Sequence, residues 1–436
     1  MQLRDYQIQI SNQATDLLRA YNIAYLALSV RVGKTLTALQ AVSNYGANSV
    51  LFLTKKKAIS SIEKDYKLLN PGYKFHCTNY EQAANIDVAW YDLIICDESH
   101  SLSQYPKMAV RTALLKEKCE GKPIIYLSGS PTPESWSQIF HQLHISSFSP
   151  FAEYSNFYKW ANDGYVNKKV KYVFNRQLND WSDANQDKIW EKIKHLFITY
   201  SQKEAGFTED VQEEILKVKM KPGTYYLADR IRIDRVFYGR NGEVVLADTN
   251  VKLQQKMHQI FSGTVKDEAG NGIIFDQSKA EFIRDHFKGQ KIAVYYKFIA
   301  EATMLISVFG SKLTTSPEEF NQSDDKVFFS QIQSGREGVN LSTADAIVMM
   351  NIDFSHVSYI QVRGRMQTKD RTKAAMLYWI FSEGGIEEKI YERVKNKQDY
   401  NNYYFKKDYG IESKAIKNIA ALPAGAGAGA AARAWQ

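Results

Sequence analysis

The chain has 436 residues, 44% of them hydrophobic and 24% charged, which is too long for one ordinary core and suits two or three soluble globular domains. Its formal net charge of +8 suits a partner that carries phosphates, although many basic proteins bind no nucleic acid. Three cysteines without a CxxC pair exclude a disulfide scaffold and predict a reducing, cytoplasmic setting.

From the N-terminus, residues 1–145 alternate short apolar runs with helical patterns. The runs lie at 24–28, 49–53, 92–96 and 124–127, and their alternation with helices predicts a parallel sheet covered on both faces. Gly33-Lys34-Thr35 follows the first run and precedes a helical pattern over 36–42. This is the strand–loop–helix setting of a phosphate-binding loop, where N–H groups at a helix start hold a polyphosphate. Lys34 is then expected to reach the β- and γ-phosphates of ATP, and the Thr35 hydroxyl to bind Mg²⁺. A strict phosphate loop has glycine where Leu28 stands, and a bare GKT is a common accident. Asp97-Glu98-Ser99-His100 follows a buried apolar run, so two adjacent acids end a strand at the edge where α/β sheets bind ligands. Asp97 suits Mg²⁺, and Glu98 suits the base that orients and deprotonates water. Alone, two acids in a solvated loop mean little.

Residues 146–250 mix aromatics and charges without strand–helix alternation and read as a linker plus an insertion. Lys168-Lys169-Val170-Lys171 reads as a solvated face or a phosphate contact. The stretch 237–245 reads as a β-hairpin turning on Asn241-Gly242, a favoured type I′ pair. Residues 251–400 repeat the first style, with apolar runs at 291–296, 326–329, 346–350 and 375–381, and predict a second α/β unit. Residues 401–436 form an extension whose Ala/Gly-rich end reads as flexible or artificial.

In order along the chain, these residues resemble the motifs of superfamily 2 helicases, in their chromatin-remodeller-like branch. Gly33-Lys34-Thr35 and Asp97-Glu98-Ser99-His100 resemble motifs I and II. Leu3-Arg4-Asp5-Tyr6-Gln7 resembles the upstream element in which the glutamine reads adenine. Leu53-Thr54-Lys55, Thr78-Asn79-Tyr80-Glu81 and Leu127-Ser128-Gly129-Ser130-Pro131 resemble motifs Ia, Ib and III. Ser334-Gly335-Arg336-Glu337-Gly338-Val339-Asn340-Leu341 resembles motif V, and Gln361-Val362-Arg363-Gly364-Arg365 resembles motif VI. The short chain is most similar to helicases encoded by bacteriophages.

The resemblance implies two tandem RecA-like P-loop lobes. It also implies an ATP-dependent DNA helicase or translocase, with a role in phage replication or recombination. Arg4, Gln7, Arg31, Gly33, Lys34, Thr35, Gly338 and Arg365 are then the nucleotide-binding residues. Lys34, Asp97, Glu98, Gln361 and Arg365 are the catalytic set. Thr54, Lys55, Thr78, Tyr80, Lys297, Ser330 and Gln333 face nucleic acid, gripping its phosphates. Two departures stand out. Arg31 occupies a place where many helicases carry glycine, and Thr368 occupies the place of a second motif VI arginine, with Arg363 and Arg371 nearby. A duplex translocase that separates no strands, and an ATPase that loads or remodels a partner protein, remain open. No run of about 18 apolar residues appears, so no membrane partner is expected.

Overall fold

The computed structural model describes residues 3–173, 176–206, 211–332, 341, 343–355, 358–359 and 376–396. Two compact units divide the chain, Met1–Thr208 and Glu209–Gln436. The first opens on helix α1 (Asp5–Tyr21), which ends where Asn22 turns left-handed (φ 56°) into strand β1 (Ile23–Leu28). Helix α2 (Lys34–Tyr45) follows, then β2 (Ser49–Thr54), β3 (Lys74–Asn79), β4 (Leu93–Asp97) and β5 (Ile124–Leu127). A two-stranded hairpin, β6 (Lys169–Val173) with β7 (Arg176–Asp180), precedes the last strand of this unit, β8 (Phe197–Tyr200).

Six of these strands form one parallel sheet in the order β3-β2-β4-β5-β1-β8. Alternate side chains separate into two cores. Ile23, Tyr25, Ile94 and Cys96 pack on one face, while Ala24, Leu26, Leu93 and Ile95 pack on the other. Burial on both faces is why these segments read as unbroken apolar runs. Because the sheet is parallel, every strand delivers its following loop to the same edge, and the functional residues gather there.

The second unit contains β9 (Gln212–Val218), the hairpin β10 (Val236–Tyr238) with β11 (Val244–Leu246), and the pair β12 (Thr264–Lys266) with β13 (Gly272–Ile274). Then come β14 (Ile292–Tyr296), β15 (Leu313–Thr314), β16 (Val327–Gln331), β17 (Ala346–Met349) and β18 (Met376–Ser382). Its parallel six-stranded sheet runs β15-β16-β14-β17-β18-β9.

The stretch 146–250 is not a separate insertion. Phe151, Phe157, Trp160 and Trp181 are buried in a core of the first unit, each stabilising it by roughly 1.5–3 kcal/mol. Strand β8 closes the first sheet beside β1, and β9 closes the second beside β18. Helix Pro222–Asp234 buries Leu227 and Ile231 in the second unit's core. Many of the aromatics that blurred the strand–helix pattern, Phe151, Phe157, Trp160, Trp181 and Phe237 among them, are core residues of the two units.

The β10–β11 hairpin is present, with Phe237 and Val245 buried. Its turn differs from expectation. Only Gly242 is left-handed (φ 90°), and the Gly239 amide donates to Glu243 O at 2.8 Å. The loop is therefore three residues, Arg240 to Gly242, closed by a left-handed glycine rather than a type I′ pair.

Candidate functional site

The site forms at the carboxyl edge of the first sheet. After β1 the chain turns at Arg31 (φ 64°) and Gly33 (φ 89°), and α2 begins at Lys34. Three side chains brace this loop. The Tyr6 hydroxyl donates to Val32 O at 3.1 Å, and Gln202 Nε2 donates to Val30 O at 3.0 Å. Gln7, which caps α1 by accepting from the Arg4 amide at 2.9 Å, lies against Gly33. A Cβ on Gly33 would stand 2.1 Å from Gln7 Nε2, so both the backbone angle and the close approach require glycine here. Tyr6 stacks on Tyr200 at 5.1 Å, which ties β8 to the same loop. Arg4 is exposed, while Arg31 and Thr35 are half-buried.

Lys34 Nζ donates to Leu28 O at 3.2 Å, and a Cβ on Gly129 would lie 3.5 Å from the same nitrogen. The Gly129 loop thus passes beside Lys34. Two strands away, Asp97 ends β4. The Thr54 hydroxyl donates to Asp97 Oδ2 at 2.8 Å, and the Tyr80 hydroxyl donates to Asp97 O at 2.6 Å. Glu98 is left-handed (φ 48°), and its Oε2 lies 3.2 Å from His100 Nδ1. The same His100 nitrogen lies 3.1 Å from Ser128 Oγ, joining the turn after β4 to the turn after β5.

The electrostatics separate the two acids. Burial, and then the charge of Glu98, hold the Asp97 carboxyl above its ordinary range. Burial also pushes Glu98 up, but His100, Lys34 and Lys55 outweigh it and leave Glu98 lowered. Burial lowers the His100 imidazole, against the opposing pull of Glu98. Glu98 is thus compensated by His100 and two lysines while the buried Asp97 is left raised, and that deficit of positive charge at Asp97 suits a divalent cation. The oxygen donors of Asp97 and Thr35 are the hard ligands that Mg²⁺ takes. Phosphates at the start of α2, a cation at Asp97 and a proton acceptor at Glu98 are chemically compatible roles for this edge.

The nucleic-acid set changes. Thr54, Thr78 and Tyr80 are buried, and the hydroxyls of Thr54 and Tyr80 point to Asp97. The Thr54 hydroxyl is taken by the Asp97 carboxylate and the Tyr80 hydroxyl by the Asp97 main-chain carbonyl, so these two brace Asp97 from within rather than facing a strand. Lys297 Nζ pairs with Asp353 at 2.9 Å, over the Phe354 ring. Lys55 and Ser330 are half-buried at the ends of their strands. Gln333, Gly338, Gln361, Arg363, Arg365, Thr368 and Arg371 lie outside the described residues.

Some contributors carry no motif signal. Tyr200 and Gln202 come from a short, half-exposed strand and its following turn. Tyr25 and Gln142 hydrogen-bond beneath Ser99. A tyrosine inside the aliphatic run of β1 was the one visible hint, since a buried phenol needs a partner.

No family model matches the chain. Over 73% of its length it is 22% identical to Protein CHROMATIN REMODELING 5 of Arabidopsis thaliana, covering 20% of that protein. Over 71% it is 22% identical to the SWI/SNF-related matrix-associated actin-dependent regulator of chromatin subfamily A-like protein 1 of Drosophila melanogaster, covering 41% of it. Over 76% it is 22% identical to the Probable ATP-dependent DNA helicase CHR12 of Arabidopsis thaliana, covering 31% of it. The chain thus spans less than half the length of these relatives, and it is similar to proteins named for chromatin remodelling and for ATP-dependent DNA helicase activity.

Proposed function

We propose that this protein is an ATP-dependent DNA translocase of the superfamily 2 type, built on two RecA-like lobes. One observation carries the reading. The carboxyl edge of a single parallel sheet collects the Lys34 loop, the Asp97–Glu98 pair and the Gly129 loop, braced by Gln7. Phosphoryl transfer needs charge neutralisation and a positioned water more than covalent chemistry. Lys34 holds the phosphates, and Gln7 orients the nucleotide against the Gly33 turn. Glu98, kept ionised by Lys34, Lys55 and His100, takes the proton of the attacking water. A divalent cation held by Thr35 and Asp97 supplies further neutralisation of phosphate charge. By the sequence resemblance, Gln361 and Arg365 complete the set, with Arg365 as the finger at the γ-phosphate.

Phosphate contacts fall to Lys55, to the exposed Lys56 beside it, and to Ser330 and Gln333. Such contacts grip without reading sequence, so affinity is expected to fall steeply with salt. The relatives named for chromatin remodelling and for ATP-dependent DNA helicase activity support a motor on DNA, with movement on duplex DNA without strand separation as the alternative. By the sequence resemblance alone, its setting is phage replication or recombination in a bacterial cytoplasm. The test is the ATP hydrolysis rate with single-stranded DNA, duplex, fork and RNA in turn. Duplex stimulation equal to or above that of single strands supports a duplex translocase, unwinding of forks supports a helicase, and no stimulation by any nucleic acid overturns the reading.

A further inference from the structure

Beneath the catalytic edge lies a buried polar cluster that none of the motif roles uses. Gln142 sits on the short helix Ile139–Leu143 and is fully buried. Its Oε1 accepts from the Tyr25 hydroxyl at 2.7 Å and from the Ser99 hydroxyl at 3.2 Å. Its Nε2 donates to Pro131 O at 2.7 Å and to Gln138 O at 3.1 Å. A carboxamide has two donor hydrogens, and its oxygen accepts two bonds comfortably, so this one is saturated. The neighbours also fix its orientation. Carbonyl oxygens stand on one side and take the amide hydrogens, while hydroxyls stand on the other and donate to its oxygen.

The partners matter because of what they adjoin. Ser99 follows Glu98, whose left-handed backbone is costly for a residue with a Cβ, by roughly 1–2 kcal/mol. The Ser99 side chain is fully buried between Tyr25 and Gln142 and anchors the chain just after that strained residue. Pro131 closes the Ser128-Gly129-Ser130 turn that carries the His100 partner and passes beside Lys34. One side chain thus pins both the motif II turn and the motif III turn to β1.

We infer that Gln142 is a positioning residue. Through Ser99 and Pro131 it holds Glu98 and the Gly129 turn in register with Lys34, so that the proton acceptor and the phosphate loop act on one nucleotide. The inference rests on the ATPase reading above. Its chemistry is a matter of geometry, because a displacement of about 1 Å at a reacting group can cost on the order of a hundredfold in rate.

The variant Gln142→Met keeps the length and burial of the side chain but removes all four hydrogen bonds. We expect kcat for ATP to fall by about tenfold to a hundredfold while KM stays within about twofold. Tyr25→Phe, which removes one donor and little volume, should show the same split more mildly. The double variant should lose less than the product of the two single effects, because both disturb one network. A purely structural role would instead lower Tm and leave kcat of the folded protein unchanged. Amide hydrogen exchange gives a readout free of catalysis. Gln142→Met should speed exchange at residues 98–101 and 128–130 with other strands of the sheet unchanged. A wild-type protein without ATPase activity would sink the functional reading alone, since the exchange result still decides the role of Gln142. Unchanged kcat, or unchanged exchange at both turns, overturns this inference. Should Gln142→Met not fold, Tyr25→Phe carries the same measurements.

Discussion

The two units carry the same kind of sheet, yet their carboxyl edges differ in charge balance. In the first, His100, Lys34 and Lys55 compensate Glu98 but burial and Glu98 leave Asp97 raised, and the hydroxyls of Thr54 and Tyr80 fix its carboxylate and its backbone rather than neutralise it. In the second, charges are matched internally. Lys297 meets Asp353 at 2.9 Å, and the Ser358 hydroxyl donates to the other Asp353 oxygen at 2.9 Å. Glu301 accepts from the Lys297 and Phe298 amides at 2.7 and 2.8 Å and from Asn351 at 2.6 Å. Further down, Lys279 and Glu387 form a fully buried pair at 2.5 Å. Among the described residues, one edge is built to receive charge and the other to hold itself together. Parallel topology supplies the edge, and the loop residues decide its use.

The largest expected effects lie at the unbalanced edge. Glu98→Gln should cut ATP turnover by about a hundredfold to ten-thousandfold while nucleotide binding persists, because only the proton acceptor is lost. Lys34→Ala should abolish turnover and also weaken binding. Steady-state kinetics with a fluorescent-nucleotide titration separates the two, and near-normal turnover in Glu98→Gln would remove that residue from the base role.

Next in size is the matched unit. Lys279→Ala strands a buried carboxylate at Glu387 and should cost about 3–5 kcal/mol. Lys279→Met with Glu387→Leu should cost much less, because no charge is left unpaired. Urea unfolding of the single and double variants checks this, and equal losses would show that volume, not charge, matters there.

Acid should act on both units. Burial pushes His144 in the first unit down to about 4, and His258 in the second well below the ordinary imidazole range. Below about pH 6.5 the unfolded chain binds protons that the folded one refuses, so stability is full above that value and falls as pH drops towards 4. Each such histidine costs about 1.4 kcal/mol per pH unit in that window. Tm measured from pH 7 to pH 5 should therefore decline, and a flat profile would mean that these imidazoles gain a proton partner on acidification. The smallest effect is local. Gly242→Ala forces a Cβ into a left-handed turn with open space around it and should cost about 1 kcal/mol, read by urea unfolding, with ATPase unchanged.

How much was legible follows from burial. The four interior strands of the first sheet, β2, β4, β5 and β1, are the four apolar runs read from the sequence. In the second sheet the same holds for β16, β14, β17 and β18. The strands that carried no such signal are β3, β8, β15 and β9, the two edges of each sheet. An edge strand needs less apolar surface and tolerates charge. Gln212–Val218 alternates exposed and half-buried residues along most of its length, and Lys74–Asn79 begins with an exposed lysine. The absence of β8 and β9 from the pattern made 146–250 look like a linker, although Phe151, Phe157, Trp160 and Trp181 within it are core.

The site divides along the same line. The placement of Gly33-Lys34-Thr35 at the start of α2 and of Asp97-Glu98 at the end of β4 could be read directly, because both patterns are local in sequence. The sequence alone thus determined two α/β units and the residue types that stand at the carboxyl edge of the first. Only the tertiary structure decided what supports them. Thr54 and Tyr80 turned inward to Asp97, Gln7 closed on Gly33, and Gln142 met Tyr25 across 117 positions of chain. Such partners are set by which strand ends share an edge, and the order of strands in a sheet leaves no local mark on the residues it brings together.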